Sequence, residues 1–268
     1  MNRMFARARL RRLPFLFIAT GLALLGGANV ALAHEDDGPP QPRRSRAPTR
    51  DPAEYRSDQN GAFEFRLGPY RPRIDEEFGG GATPFNDIFG DGQGVLVGFE
   101  VDWQVLHIPH FGSLGPGVGW QFTTFTGNAP FGDGSGTSQQ PTSIWVMPAY
   151  AVAVLRIDAL ARDFDIPLVP YAKVGVAYTL YEARDAGATS VASDGVRGSG
   201  AELGYQMQGG AMLHLNFFAP QAGLDMDAAT GVNNAYLFWE WMYSDVSSFG
   251  RGMQLGASTW MAGVAIEF

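Results

Sequence analysis

Hydrophobic and polar residues alternate along most of this chain after residue 61. In "FEFRL", Phe63, Phe65 and Leu67 alternate with Glu64 and Arg66. In "VLVGFEVDWQV", Val95, Val97, Phe99, Val101, Trp103 and Val105 share one parity, and Leu96, Gly98, Glu100, Asp102 and Gln104 share the other. An alternation this long matches a membrane-crossing strand of about 9–11 residues and exceeds the usual globular strand of about 5–6. The opposite parity carries two acids and a glycine, which the underside of a soluble sandwich would not present.

The same period recurs. "VGWQFTTF" sets Val118, Trp120 and Phe122 against Gly119, Gln121 and Thr123. In "IWVMPAYAVAV" the apolar parity is Ile144, Val146, Tyr150, Val152 and Val154, against small residues including Ala149, Ala151 and Ala153. "LVPYAKVGVAYTLY" sets Val174, Val176, Tyr178 and Leu180 against Lys173, Gly175, Ala177 and Thr179. "AELGYQMQGGAML" sets Leu203, Tyr205 and Met207 against Glu202, Gly204, Gln206 and Gln208. "NNAYLFWEWMY" sets Leu237, Trp239, Trp241 and Tyr243 against Tyr236, Phe238 and Glu240. The last stretch sets Trp260, Ala262, Val264, Ile266 and Phe268 against Met261, Gly263, Ala265 and Glu267. These make eight candidate strands, an even number, as single-chain bacterial barrels have; ten is the alternative.

The connections differ in kind. Residues 71–94, 127–142, 182–199 and 244–254 are rich in Gly, Asp and Ser and read as outer loops. "HIPHFGSLGPG" reads as a turn, while "RIDALARDFDIP" and a stretch near Leu224–Ala229 could each hold a helical turn. The expected fold is all-β: a membrane-spanning, up-and-down antiparallel barrel of eight strands over 62–268, with both termini periplasmic. The competing fold is a secreted β-sandwich with a binding role.

The first 33 residues change the picture of location. Arg3, Arg7, Arg9, Arg11 and Arg12 precede an apolar stretch from about Pro14 to Val30, and Ala31-Leu32-Ala33 matches a small-x-small cleavage pattern. This three-part pattern reads as a cleaved secretory signal peptide, 1–33. Residues 34–61 hold five prolines and charges of both signs, and read as a disordered periplasmic tether.

Composition narrows the chemistry. There is no cysteine, so disulfides, thiolate metal sites and cysteine nucleophiles are excluded. Charged residues are only 17%, against a usual ~25%, and aromatics reach 13%. Losing the five signal arginines takes the formal charge from −8 to −13, which argues against nucleic acid as a partner.

An eight-stranded barrel has an interior that side chains fill. Its expected inward charges are Glu64, Arg66, Glu100, Asp102, Lys173, Glu202 and Glu240, with Arg66 and Lys173 lying among the carboxylates as an ion-paired plug and no wide pore. Tyr70, Trp103, Trp120, Tyr150, Tyr178, Tyr181, Trp239, Trp241, Tyr243 and Trp260 are candidates for interfacial girdles. Trp260, Val264, Ile266 and Phe268 resemble the carboxy-terminal signal read by the barrel-assembly machinery.

"FRLGPYRPRIDEEF", "IPLVPYAKVGVAY", "YLFWEW" and the final strand carry a resemblance. Over roughly 62–268 the chain resembles the small outer-membrane β-barrels of Gram-negative bacteria, of OmpA/OmpX-like size. More narrowly, it resembles an outer-membrane barrel family with myxobacterial members and no established activity. The resemblance implies fold and location and supplies no catalytic residue.

The implied role is structural or surface-interacting, with outer-membrane lipids and lipopolysaccharide as surroundings, no cofactor and no catalytic or metal residue. The alternatives are a lipid-active acyl hydrolase or transferase and a narrow channel. His34, His107, His110 and His214 supply bases, with no serine in an evident nucleophile elbow. Asp75, Glu76, Glu77, Asp87 and Asp91 form a candidate loop cation site, against the simpler reading of solvated acidic loops.

Overall fold

The computed structural model describes residues 60–131, 135–191 and 195–268. The signal-peptide and tether readings for 1–59 lie outside these residues. Among the described residues there are ten strands: β1 (Gly61–Tyr70), β2 (Gly94–Trp103), β3 (Leu106–Ile108), β4 (Gly112–Gly127), β5 (Thr142–Arg156), β6 (Leu168–Asp185), β7 (Ala188–Thr189), β8 (Ser199–His214), β9 (Asn234–Val246) and β10 (Ser258–Glu267). Eight are barrel staves. Each pairs antiparallel with its neighbours in the order β1, β2, β4, β5, β6, β8, β9, β10, and β10 returns to pair with β1. Closure gives each stave a hydrogen-bonded neighbour on both sides, which is what a strand structure needs to exist in lipid.

The two extra strands are local. β7 folds back on the end of β6. β3 continues β2 along β4 after a bulge: Trp103, Gln104 and Val105 lie opposite only Gly115 and Pro116. Gly115 is required there, since a Cβ on it would sit 1.6 Å from the Trp103 carbonyl oxygen. The long alternation from Val95 to Val105 is thus one strand with a kink. The first stave starts at Gly61 rather than Ala62, because the Gly61 N–H donates to the Phe268 carbonyl at 3.0 Å.

Side chains leave the staves with a two-residue period. On β1, β2, β4, β6, β8, β9 and β10 the expected apolar parity points outward, and Phe63, Phe99, Val118, Val176, Leu203, Trp239 and Val264 are all exposed. Strand β5 is the exception and corrects the sequence reading. Ile144, Val146, Tyr150, Val152 and Val154 point inward and are buried, while Trp145, Met147, Ala149, Ala151 and Ala153 face out. Three girdle candidates are also corrected: Tyr70, Tyr150 and Tyr181 are buried in the interior.

The barrel has a turn end, where Gly61 and Phe268 meet, and a loop end. At the turn end lie the helices α2 (Ala159–Asp163) and α3 (Pro220–Thr230). At the loop end the 71–93 connection does not form an open loop. It folds into a 3-10 turn, Ile74–Phe78, and a short helix α1, Pro84–Phe89. The Asp75 carboxylate accepts from the backbone N–H groups of Phe85 (2.7 Å) and Asn86 (3.1 Å), tying the two pieces together. Ile74 and Phe85 then pack with Tyr70, Leu96, Phe125 and Leu255 as an apolar lid. The Phe85 ring lies 5.0 Å from both Phe89 and Phe125.

Candidate functional site

Below this lid the interior is a cluster of buried ions. Glu64 and Arg66 enter from β1, Glu100 and Asp102 from β2, Arg156 from β5, Lys173 from β6, Glu240 from β9 and Glu267 from β10. All share the inward parity of their strands, and none is more than 5% exposed.

The pairing is dense. Arg66 contacts Glu64 and lies 2.9 Å from Glu100 and 3.0 Å from Glu240. Lys173 Nζ lies 2.7 Å from Glu64 and 2.5 Å from Glu100. Arg156 reaches Asp102 at 2.6 Å, Glu267 at 2.7 Å and Glu64 at 3.1 Å. Five carboxylates therefore share three cations. Tyrosine hydroxyls make up part of the difference: Tyr150 donates to Glu100 at 2.6 Å, Tyr171 to Glu240 at 2.8 Å and Tyr236 to Glu267 at 2.8 Å. Asn234 and Gln104 add bonds to Glu267 at 3.0 and 2.9 Å. Aromatic faces flank the cations, with the Arg66 guanidinium 5.6 Å from the Phe238 ring centre.

Such an arrangement binds the barrel to itself. Buried charges are tolerated only when paired and hydrogen-bonded, and here each cation bridges carboxylates from different strands. Glu64, Glu100 and Asp102 place carboxylate oxygens within 4.8 Å of one another, a spacing that suits a metal ion. Lys173 contacts two of these carboxylates, Arg66 contacts the same two, and Arg156 contacts Glu64 and Asp102, so the protein's own cations fill that role.

The structure places six of the seven expected interior charges in this cluster. The seventh, Glu202, sits apart at the loop end. It accepts from Ser248 Oγ and from the Met253 N–H at 3.2 Å, and a Cβ on Gly252 would lie 1.9 Å from its carboxylate. Two members stand outside the expected charge set: Arg156, which ends a strand that seemed to finish before it, and Glu267, already on the inward parity of the last strand. Arg156 shares the parity of Tyr150, Val152 and Val154, which reads as outward from hydrophobicity, so its charge was the one contrary signal.

The five loop acids are not brought together. Asp75 holds α1 and pairs with Arg71, Glu76 lies 3.5 Å from Arg73, and Asp87 accepts from Thr83 at 3.0 Å. Glu77 accepts from the Gln254 N–H. Burial and the nearby Glu202 carboxylate raise its pKa above the ordinary carboxylate range, against the lowering effect of that bond. Asp91 is exposed. His110 lies 3.5 Å from Asp163, and His214 lies 2.9 Å from Asn234 and stacks on Tyr236. Of the residues expected to form an assembly signal, Trp260 and Val264 are exposed and Ile266 is half-buried on the outer parity of β10, and the exposed Phe268 follows its end.

An apolar exterior around an ion-paired interior, closed by eight antiparallel staves, defines a small membrane-type β-barrel. Solved structures with a similar course include the outer-membrane protein OprG from Pseudomonas aeruginosa, with 12% identity over 78% of this chain and 96% of that one, at a TM-score of 0.43. Ail, the attachment invasion locus protein of Yersinia pestis, shows 10% identity over 78% of this chain and 97% of its own, at 0.39. Neisserial surface protein A shows 11% identity over 78% and 96%, at 0.36. No protein-family model and no curated protein matches the chain.

Proposed function

We propose that this protein is an integral outer-membrane β-barrel of a Gram-negative bacterium with a structural or surface-interaction role, and that its interior is a side-chain plug rather than a pore. The observation that carries this reading is the two-faced wall. Large apolar side chains such as Phe65, Phe99, Phe122, Val176, Trp239 and Trp241 are exposed outside, while the charges of the same strands are buried inside. Water would penalise the first arrangement and lipid requires it.

In this reading outer-membrane lipids and lipopolysaccharide surround the wall, the loop end faces the cell exterior, and the signal peptide 1–33 directs export. Strand β10 serves as the strand recognised by the assembly machinery, through Trp260, Val264, Ile266 and Phe268. The buried carboxylates are held in ion pairs, and His110 and His214 lie against Asp163 and Asn234.

Cysteine labelling tests both location and orientation, because the chain has no cysteine of its own. Asp91→Cys in the lid and Asp165→Cys in a turn are each expressed in cells. A membrane-impermeant maleimide is expected to label Asp91→Cys on intact cells and Asp165→Cys only after the outer membrane is permeabilised. Equal labelling of both, or recovery of the protein without detergent, overturns the reading. Planar-bilayer recordings are expected to show no wide-pore conductance.

A further inference from the structure

Of the chain's 19 basic residues, Lys173 is the single lysine. Its side chain is fully buried, and so are those of the two carboxylates it touches. Nζ lies 2.5 Å from Glu100 Oε1 and 2.7 Å from Glu64 Oε2. Glu64 and Glu100 stand directly opposite each other on β1 and β2. The Tyr171 ring closes a further side, its centre 5.1 Å from Nζ.

An ion pair alone does not account for a lysine at this one position. Arginine is the better partner for a buried carboxylate, because its planar fork donates to two oxygens at once and it stays charged. The other two cations of the cluster, Arg66 and Arg156, are arginines. What a lysine can do and an arginine cannot is give up a proton and attack carbon.

The surroundings of Glu100 are those of an acyl acceptor. Its two oxygens have different partners. Oε1 faces the amine. Oε2 accepts from the Tyr150 hydroxyl at 2.6 Å and lies 2.9 Å from Arg66 Nη2, so two donors sit where negative charge collects during attack. Glu64 Oε2 touches both the amine and Arg66, which places it to carry protons. Full burial keeps out the water that would hydrolyse a product.

We propose that Lys173 and Glu100 condense to an isopeptide bond that joins β6 to β2 across the lumen, with Glu64 as the proton carrier. Glu64 takes a proton from the Lys173 ammonium and hands it to Glu100 Oε1. The freed Nζ lone pair forms a bond to Glu100 Cδ, and the electrons of the carbonyl double bond move onto Oε2, held by Tyr150 and Arg66. Glu64 carries a second proton from Nζ to Oε1. The Oε2 electrons then return, the Cδ–Oε1 bond breaks with its pair on oxygen, and Oε1 leaves as water. One positive and one negative charge vanish together, Glu64 ends as it began, and no outside reagent is consumed. The inference rests on the lumen alone and is independent of the surface role.

The test is intact-mass spectrometry of the full chain, first dissolved in urea and then folded into lipid nanodiscs. Folding is expected to lower the mass by one water. Tryptic digestion should then give a branched peptide joining Lys173 to Glu100, with the cut after Lys173 lost, and an amine-reactive reagent should not modify Lys173 in the denatured product. Lys173→Arg keeps the positive charge and should keep the full mass. Glu64→Gln keeps nucleophile and acceptor and should slow the loss of water by about 10²–10⁴-fold. An unchanged mass for the folded wild type, with Lys173 open to the reagent after denaturation, overturns the proposal. So does a loss of water that persists in Lys173→Arg, or a branched peptide that joins Lys173 to Glu64 instead. If neither variant folds, the wild-type mass and the branched peptide decide the matter alone.

Discussion

Arg156 and Glu267 meet at 2.7 Å although their strands stand on opposite sides of the barrel. Between β5 and β10 there are three staves in either direction round the wall. The pair is therefore a strut across the lumen, made at the turn end and fixed by further bonds to Asp102, Tyr236 and Asn234.

Removing one side of that strut should cost more than removing both. Arg156→Met leaves Asp102 and Glu267 without their cation, and breaking a buried pair in this way costs about 3–5 kcal/mol. Adding Glu267→Gln should restore part of the loss, because Gln still accepts from Tyr236 and Asn234. Urea unfolding of the two variants in detergent checks the order.

The two faces of β2 predict a contrast between neighbours. Val101→Arg places a charge on the lipid side and should cost ~2–4 kcal/mol near the bilayer midplane. Asp102→Asn keeps the shape and removes one of five carboxylates from a cluster with three cations. Its expected effect is smaller. Folded yield on a heat-modifiable gel distinguishes them, and equal damage would contradict the facing of this strand.

Opening the lid should be a local event. Phe85→Ala empties the space between Phe89 and Phe125, and such truncations cost about 3–5 kcal/mol in a well-packed core. The lid contributes no stave, so this loss should appear as local opening. Protease cleavage and hydrogen exchange across 74–90 are expected to rise while the unfolding midpoint of the barrel holds.

The kink after β2 gives a paired test. Gly115→Ala drives a methyl into the Trp103 carbonyl and should disrupt the bulge. Gly209→Ala meets nothing within 4 Å and serves as its control. Loss of folded protein for the first and not the second is the expected result.

The lid should also respond to pH. Burial and Glu202 raise the Glu77 pKa, so the folded state favours the neutral carboxyl. A raised acid contributes stability below its ordinary range, and that contribution is lost as pH rises through the raised value. Hydrogen-exchange protection across 74–90, corrected for intrinsic exchange, is expected to fall as pH rises through the raised value. Glu77→Gln should abolish the dependence.

Much of the barrel and its inner face is legible in the sequence. The alternation around Glu100 and Asp102 marks both period and face, because large apolar groups and acids cannot share a side. Strand β5 misled for a physical reason. Its valines fill the lumen and its alanines face out, so hydrophobicity alone points the wrong way and only Arg156, two residues beyond Val154 on the same face, marks the inner side. Tyr70, Tyr150 and Tyr181 are ambiguous in the same sense, since a tyrosine suits both a wet interface and a buried hydroxyl bond. The lid was hidden because "GATPFNDIFGDG" has a loop's composition, and the fit of Phe85 against Phe125 depends on tertiary packing.

The ion cluster also bears on how long the barrel lasts once made. Arg66 and Glu240 are 174 residues apart in the chain, Arg156 and Glu267 are 111 apart, and Lys173 and Glu64 are 109 apart. Contacts of such high order form only after the intervening strands are in place. They contribute little to the folding transition state and must break before the wall can open. Interactions of that kind slow unfolding without hastening folding. The cluster therefore acts as a latch set at the end of assembly, and its principal effect is on lifetime in the membrane.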